Sequence, residues 1–85
     1  MEKDEIIEKL YQIYCNVLGI DIDRDVFHHE MNLAEAFGID SLMGLQIIVK
    51  IEQEFQVIIE DDEMAIELVG SLEKTVDFIK NEKDR

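Results

Sequence analysis

Apolar residues recur along this chain in stripes, separated by polar or acidic stretches. From about Asp4 to Leu18 the stripe is Ile6, Leu10, Ile13 and Val17, widened by Ile7, Tyr14 and Leu18. That spacing predicts an amphipathic helix. Glu2, Asp4 and Glu5 lie near its start, where acids suit the positive end of the helix, and Gly19 follows as a stop. Leu42 to Phe55 predicts a second helix, with Leu42, Leu45, Ile48, Ile51 or Glu52, and Phe55 at the helical period. Met43, Ile47 and Val49 add apolar surface, more than so short a chain is expected to bury. Gln56 to Ile59 looks extended but is too short to start a sheet. The acids Glu60, Asp61, Asp62 and Glu63 read as the first turn of a short third helix through Met64, Ala65 and Ile66. Gly70 then breaks the chain, and Ser71 can cap a last helix. Its stripe is Leu72, Val76 and Ile79, flanked by Thr75 and Phe78, and Asn81 to Arg85 are expected to fray.

Residues 20 to about 37 read as a long connection, held to the core by Val26, Phe27, Met31, Leu33, Ala36 and Phe37. The expected fold is therefore all-α. It is a small four-helix bundle, three longer helices plus one short, with a long loop between the first and second, in one domain over residues 1–85.

Composition narrows the possible partners. The chain has 85 residues, 47% of them hydrophobic, so one small core can form. Asp and Glu number 21 against 8 Lys and Arg, a formal net charge of -13. That charge repels nucleic-acid phosphates and anionic membranes and favours partners with basic patches. Cys15 is the single cysteine, so no internal disulfide can form, and a reducing cytoplasm is expected. No stretch is long and apolar enough to span a bilayer. The two Gly-rich or Pro-rich signatures of a turn-dominated fold are missing, with four glycines and Pro 0.

Candidate chemistry centres on Gly38-Ile39-Asp40-Ser41-Leu42, where a loop-like stretch meets the apolar run. Ser41 stands at a helix N-terminus, where free backbone N–H groups and the helix dipole favour a negative group. It can cap the helix or carry a phosphate. A capping box needs Glu or Gln three residues on, and Met43 or Gly44 stands there. Hydrolysis is disfavoured: the histidines are more than ten residues upstream, and G-x-D-S-L lacks the glycines that flank a nucleophile elbow. Asp21, Asp23 and Asp25 alternate like the start of a calcium loop, but Val26 replaces the turn glycine and Asn32 the closing glutamate. A solvated acidic loop is expected there. Adjacent His28 and His29 point apart and make poor metal ligands.

Phe37-Gly38-Ile39-Asp40-Ser41-Leu42, followed by an apolar helix ending in Ile51-Glu52-Gln53-Glu54-Phe55, resembles the acyl carrier proteins. The likeness extends to Leu18-Gly19-Ile20, to Ile59-Glu60-Asp61-Asp62-Glu63-Met64 and to Ser71-Leu72, and so covers nearly the whole chain. The resemblance implies a 4'-phosphopantetheine arm on Ser41, transferred from coenzyme A by a phosphopantetheinyl transferase. It implies a carrier with no catalysis of its own, bearing acyl groups as thioesters. Asp40, Leu42 and Gly38 would shape the attachment site. Partners would be acyl-loading and acyl-processing enzymes such as a ketosynthase or acyltransferase, and a monomer is expected. Leu33, Leu45, Ile48, Ile51, Phe55, Ile66 and Leu72 would line a space for the acyl chain.

Carriers of fatty-acid synthesis usually place an acid two residues after the serine and a glutamate five after it. Here Met43 and Gln46 stand there, and Lys50 adds a positive charge. The resemblance therefore leans toward carriers of polyketide and other specialised pathways. Met43, Gln46, Ile47, Val49 and Lys50, with Glu60, Asp61, Asp62 and Glu63, are the expected partner surface. A housekeeping fatty-acid carrier and an aminoacyl or peptidyl carrier are the alternatives within the family. From another class, an unmodified acidic helical adaptor for a basic partner would keep Ser41 as a free hydroxyl.

Overall fold

A computed structural model describes residues 2–84. Six helices follow one another: α1 (Lys3–Leu18), α2 (Arg24–His29), α3 (Leu33–Phe37), α4 (Ser41–Phe55), α5 (Asp62–Gly70) and α6 (Leu72–Lys83). Among the described residues there is no strand, and no helix is long and apolar enough to cross a membrane. α1 packs on α4 and α6, and α5 rests on α3, α4 and α6. The all-helical bundle expected from the apolar periodicity is thus present.

The long connection is more ordered than its sequence suggests. It contains α2 and α3, each opened by a side-chain cap. Asp23 accepts a hydrogen bond from the Val26 amide at 3.1 Å, and Asn32 accepts one from the Glu35 amide at 3.0 Å. Of the alternating aspartates, Asp23 therefore caps α2 and Asp25 lies in its first turn. Phe27 and Leu33 are fully buried, and each contributes about 1.5–3 kcal/mol to holding the connection down. Phe27 meets Tyr11 and Tyr14 edge-on, with ring centroids 5.5 and 5.3 Å apart. Val26, Met31 and Ala36, expected as further anchors, are exposed.

Two buried hydroxyls fix the end of α5. Tyr14 of α1 donates to the Val69 carbonyl at 2.7 Å, and Thr75 of α6 donates to the Leu68 carbonyl at 2.6 Å. Gly70, expected as the break before the last helix, is the final residue of α5, with Ser71 alone between it and α6. It is small because a Cβ there would lie 3.3 Å from Asn32 Oδ1, the atom that caps α3. Ser71 caps α6 by accepting from the Lys74 amide. α6 stays helical through Lys83, beyond the start of the expected fraying, and Arg85 lies outside the described residues.

Candidate functional site

The turn from α3 into α4 is three residues long. Gly38 ends α3 in the left-handed region, at φ 62, where a side chain would be strained. The Ile39 amide folds back onto the Ala34 carbonyl at 2.9 Å, closing the turn. Asp40 then caps α4, its Oδ1 accepting from the Met43 amide at 2.8 Å. Ser41, expected as a possible cap, is instead the first helical residue. The reason lies in the side chains: a carboxylate one residue earlier already occupies the Met43 amide, and the serine hydroxyl stays exposed. Its position is still the positive end of a 15-residue helix.

Beside Ser41 runs a groove of about 630 Å³ between α4 and α5. Its walls include Ile39, Leu45, Ile48, Ile66 and Val69, with Gly44 at the α4 side. Of the residues expected to line an acyl space, Leu45, Ile48 and Ile66 line this groove. Leu33, Ile51, Phe55 and Leu72 are instead packed in the core.

The face of α4 is rotated relative to its sequence reading. Ile47 is 0% exposed and joins Ile48, Ile51 and Phe55 in the core, so it cannot belong to a partner surface. Leu42 and Leu45, placed on the core stripe by their spacing, are 65% and 60% exposed. Gln46, Val49 and Lys50 are exposed and Met43 half-buried. Glu60, Asp61, Asp62 and Glu63 are exposed at the start of α5, where Asp61 accepts from the Glu63 and Met64 amides. Sequence reasoning missed Ile39, Gly44, Ala65 and Val69 as groove residues, and Glu52 as a tie: its Oε2 accepts from the Ile59 amide at 2.9 Å. A carboxylate on an otherwise apolar stripe, and a glycine inside a helix, were the available signals.

The site is thus an exposed serine at a helix start, on the rim of a largely apolar groove in a small helical bundle. The family described as phosphopantetheine attachment site matches residues 8–79. The chain is 35% identical over 79 residues to an acyl carrier protein of Guillardia theta, covering 93% of each. It is 35% identical over 81 residues to one of Thermosynechococcus vestitus, covering 95% of each. It is 30% identical over 79 residues to one of Chlorobium phaeovibrioides, covering 93% of this chain and 96% of that one. No solved structure matches. The chain belongs to the acyl carrier protein family, whose covalent group is 4'-phosphopantetheine. The residues present fit that group: the hydroxyl is free to be esterified, and the amides of Ser41 and Leu42 lie in the first turn, where a helix leaves its N–H groups unpaired.

Proposed function

We propose that Ser41 is the residue that carries the arm, and that the protein shuttles acyl groups in a specialised pathway of the polyketide kind. The observation behind the attachment is the exposed hydroxyl placed by the Asp40 cap at the start of α4. When bound, the arm supplies a terminal thiol on which acyl groups are held as thioesters. The chain's own residues do the rest. Gly38 and Ile39 set the turn, and Asp40 turns its carboxylate inward onto the Met43 amide. The negative phosphodiester then meets the positive end of α4. Leu42 and the acids at the start of α5 present the surface that a transferase and acyl-handling enzymes grip.

The pathway reading rests on α4. Between Ser41 and Glu52 it carries no acid, and its exposed face is Leu42, Leu45, Gln46, Val49 and Lys50. Enzymes that grip an acidic helix would find little charge there, and enzymes that dock on apolar surface would find much.

The attachment is tested by intact mass after incubation with coenzyme A, magnesium and a broad-specificity phosphopantetheinyl transferase. The expected result is a gain of one arm, localised by fragmentation to Ser41. Ser41→Ala should gain nothing while melting as the parent does. An unmodified wild type, beside a control carrier that loads, would overturn the reading in favour of the adaptor. For the pathway, Met43→Asp with Gln46→Glu should speed acyl exchange with fatty-acid-synthesis enzymes. A wild type that already exchanges as fast as a fatty-acid carrier would sink the specialised assignment.

A further inference from the structure

Gly44 lies one turn beyond Ser41 and lines the same groove. Three residues apart on one helix, the two share a face. A glycine inside a helix costs about 1 kcal/mol relative to alanine. Packing does not require it here. A Cβ at this position would meet Ile39 Cγ2 and both Cγ atoms of Val69 at 3.9 Å each, an ordinary contact. Alanine would fit and would strengthen α4. What glycine leaves is an opening between Ile39, in the turn that leads to Ser41, and Val69, on α5. Any atom beyond a Cβ would have to stand in that opening.

The lining also has a sign. Its charged side chains, Asp40, Glu52 and Asp62, are all carboxylates. A cargo ending in a carboxylate would meet like charges with no cation to offset them, whereas an alkyl chain would meet Ile39, Leu45, Ile48, Ile66 and Val69.

We infer that Gly44 is the portal of the groove, setting whether an uncharged aliphatic acyl chain borne on Ser41 can enter it. This rests on the attachment proposed above.

The experiment loads wild type, Gly44→Ala and Gly44→Leu with acetyl or octanoyl arms from the matching coenzyme A esters, with each product verified by mass. Melting temperature and the methyl NMR shifts of Ile39 and Val69 are then read for each. In the wild type the octanoyl form should melt above the acetyl form and should move both methyl signals. Gly44→Ala should melt higher than wild type when unloaded, yet show a smaller octanoyl gain. Gly44→Leu should lose the gain and the methyl shifts. An octanoyl chain bearing a terminal carboxylate should give no gain in the wild type. An undiminished octanoyl gain in Gly44→Ala and Gly44→Leu overturns the portal, as does a wild type with no gain. An equal gain from the carboxylated chain overturns the restriction to uncharged cargo. Should Gly44→Leu fail to fold, Gly44→Ala alone decides, since its methyl fits without displacement. A wild type that takes up no mass overturns the attachment and the portal with it, and so is distinguishable from a loaded protein that fails to shelter its chain.

Discussion

Two side chains contribute opposite ends of the pH dependence of stability. The Arg24 guanidinium hydrogen-bonds Glu8 through both nitrogens and lies 4.2 Å over the Tyr11 ring. That bond, aided by one from Gln12, holds the Glu8 carboxyl at about 2 against an ordinary 4.5. A carboxyl held below its unfolded value stabilises the fold above that value, and the contribution disappears as pH falls toward the folded one. Melting temperature should therefore fall between pH 4.5 and about 2, and Glu8→Gln should flatten that part of the curve. The pair is exposed, so the effect is small. At the other limit, burial pushes the Tyr14 phenol well above its ordinary 10.0. Its contribution is complete below that value and is lost as pH rises past it, because only the unfolded chain then ionises. Tyr14→Phe should remove this alkaline loss. It should also leave the Val69 carbonyl without its partner, at a cost of about 1–3 kcal/mol, read from the denaturant midpoint at neutral pH.

At the scale of elements, the ends of α4 and the start of α5 give the clearest tests. Gln56 ends α4 at φ 58, a left-handed position that favours glycine. Gln56→Gly should raise stability by about 1 kcal/mol, measured by chemical denaturation. Asp61→Ala removes the cap of α5 and should cost about 0.5–2 kcal/mol by the same measurement. How far the sequence revealed these elements follows from their contrast. α1 and α6 carry a polar face opposite an apolar one, so spacing fixed which side is buried, and Ile6, Leu10, Leu72, Val76 and Ile79 are in the core as read. α4 carries a polar stripe of Gln46, Lys50, Gln53 and Glu54, and Leu42 falls on its line, four residues before Gln46. Apolar spacing alone placed Leu42 and Leu45 on the core side, whereas they are exposed beside that stripe and Ile47 is buried against the core. α2 and α3 have six and five residues, too few for a period to show, although Asp23 and Asn32 marked their starts. The proposed attachment motif, Gly38 to Leu42, was legible because it is local, five consecutive residues at a loop-to-helix boundary. The groove beside it was not, because Ile39, Gly44 and Val69 meet only once α5 folds back over α4.

Over the whole molecule, the net charge of -13 acts at a distance that no single residue explains. Self-repulsion weakens the compact state, and the same field draws in basic partners. Added salt should therefore raise the melting temperature of the free protein while slowing its association with a transferase, both measurable in one titration series. The bundle also distributes its restraint unevenly. Hydroxyls from α1 and α6 grip adjacent carbonyls at the end of α5, and Leu68 and Val69 beside them are buried. The start of the same helix is tied by Asp61, its own neighbour, and carries Met64 and Ile66 in contact with solvent. Amide hydrogen exchange along α5 should accordingly be graded, fast near Glu63 and slow near Ser71. One wall of the groove is then anchored at one end and yielding at the other, so a chain entering beside Ser41, as proposed above, would make room for itself without melting the core.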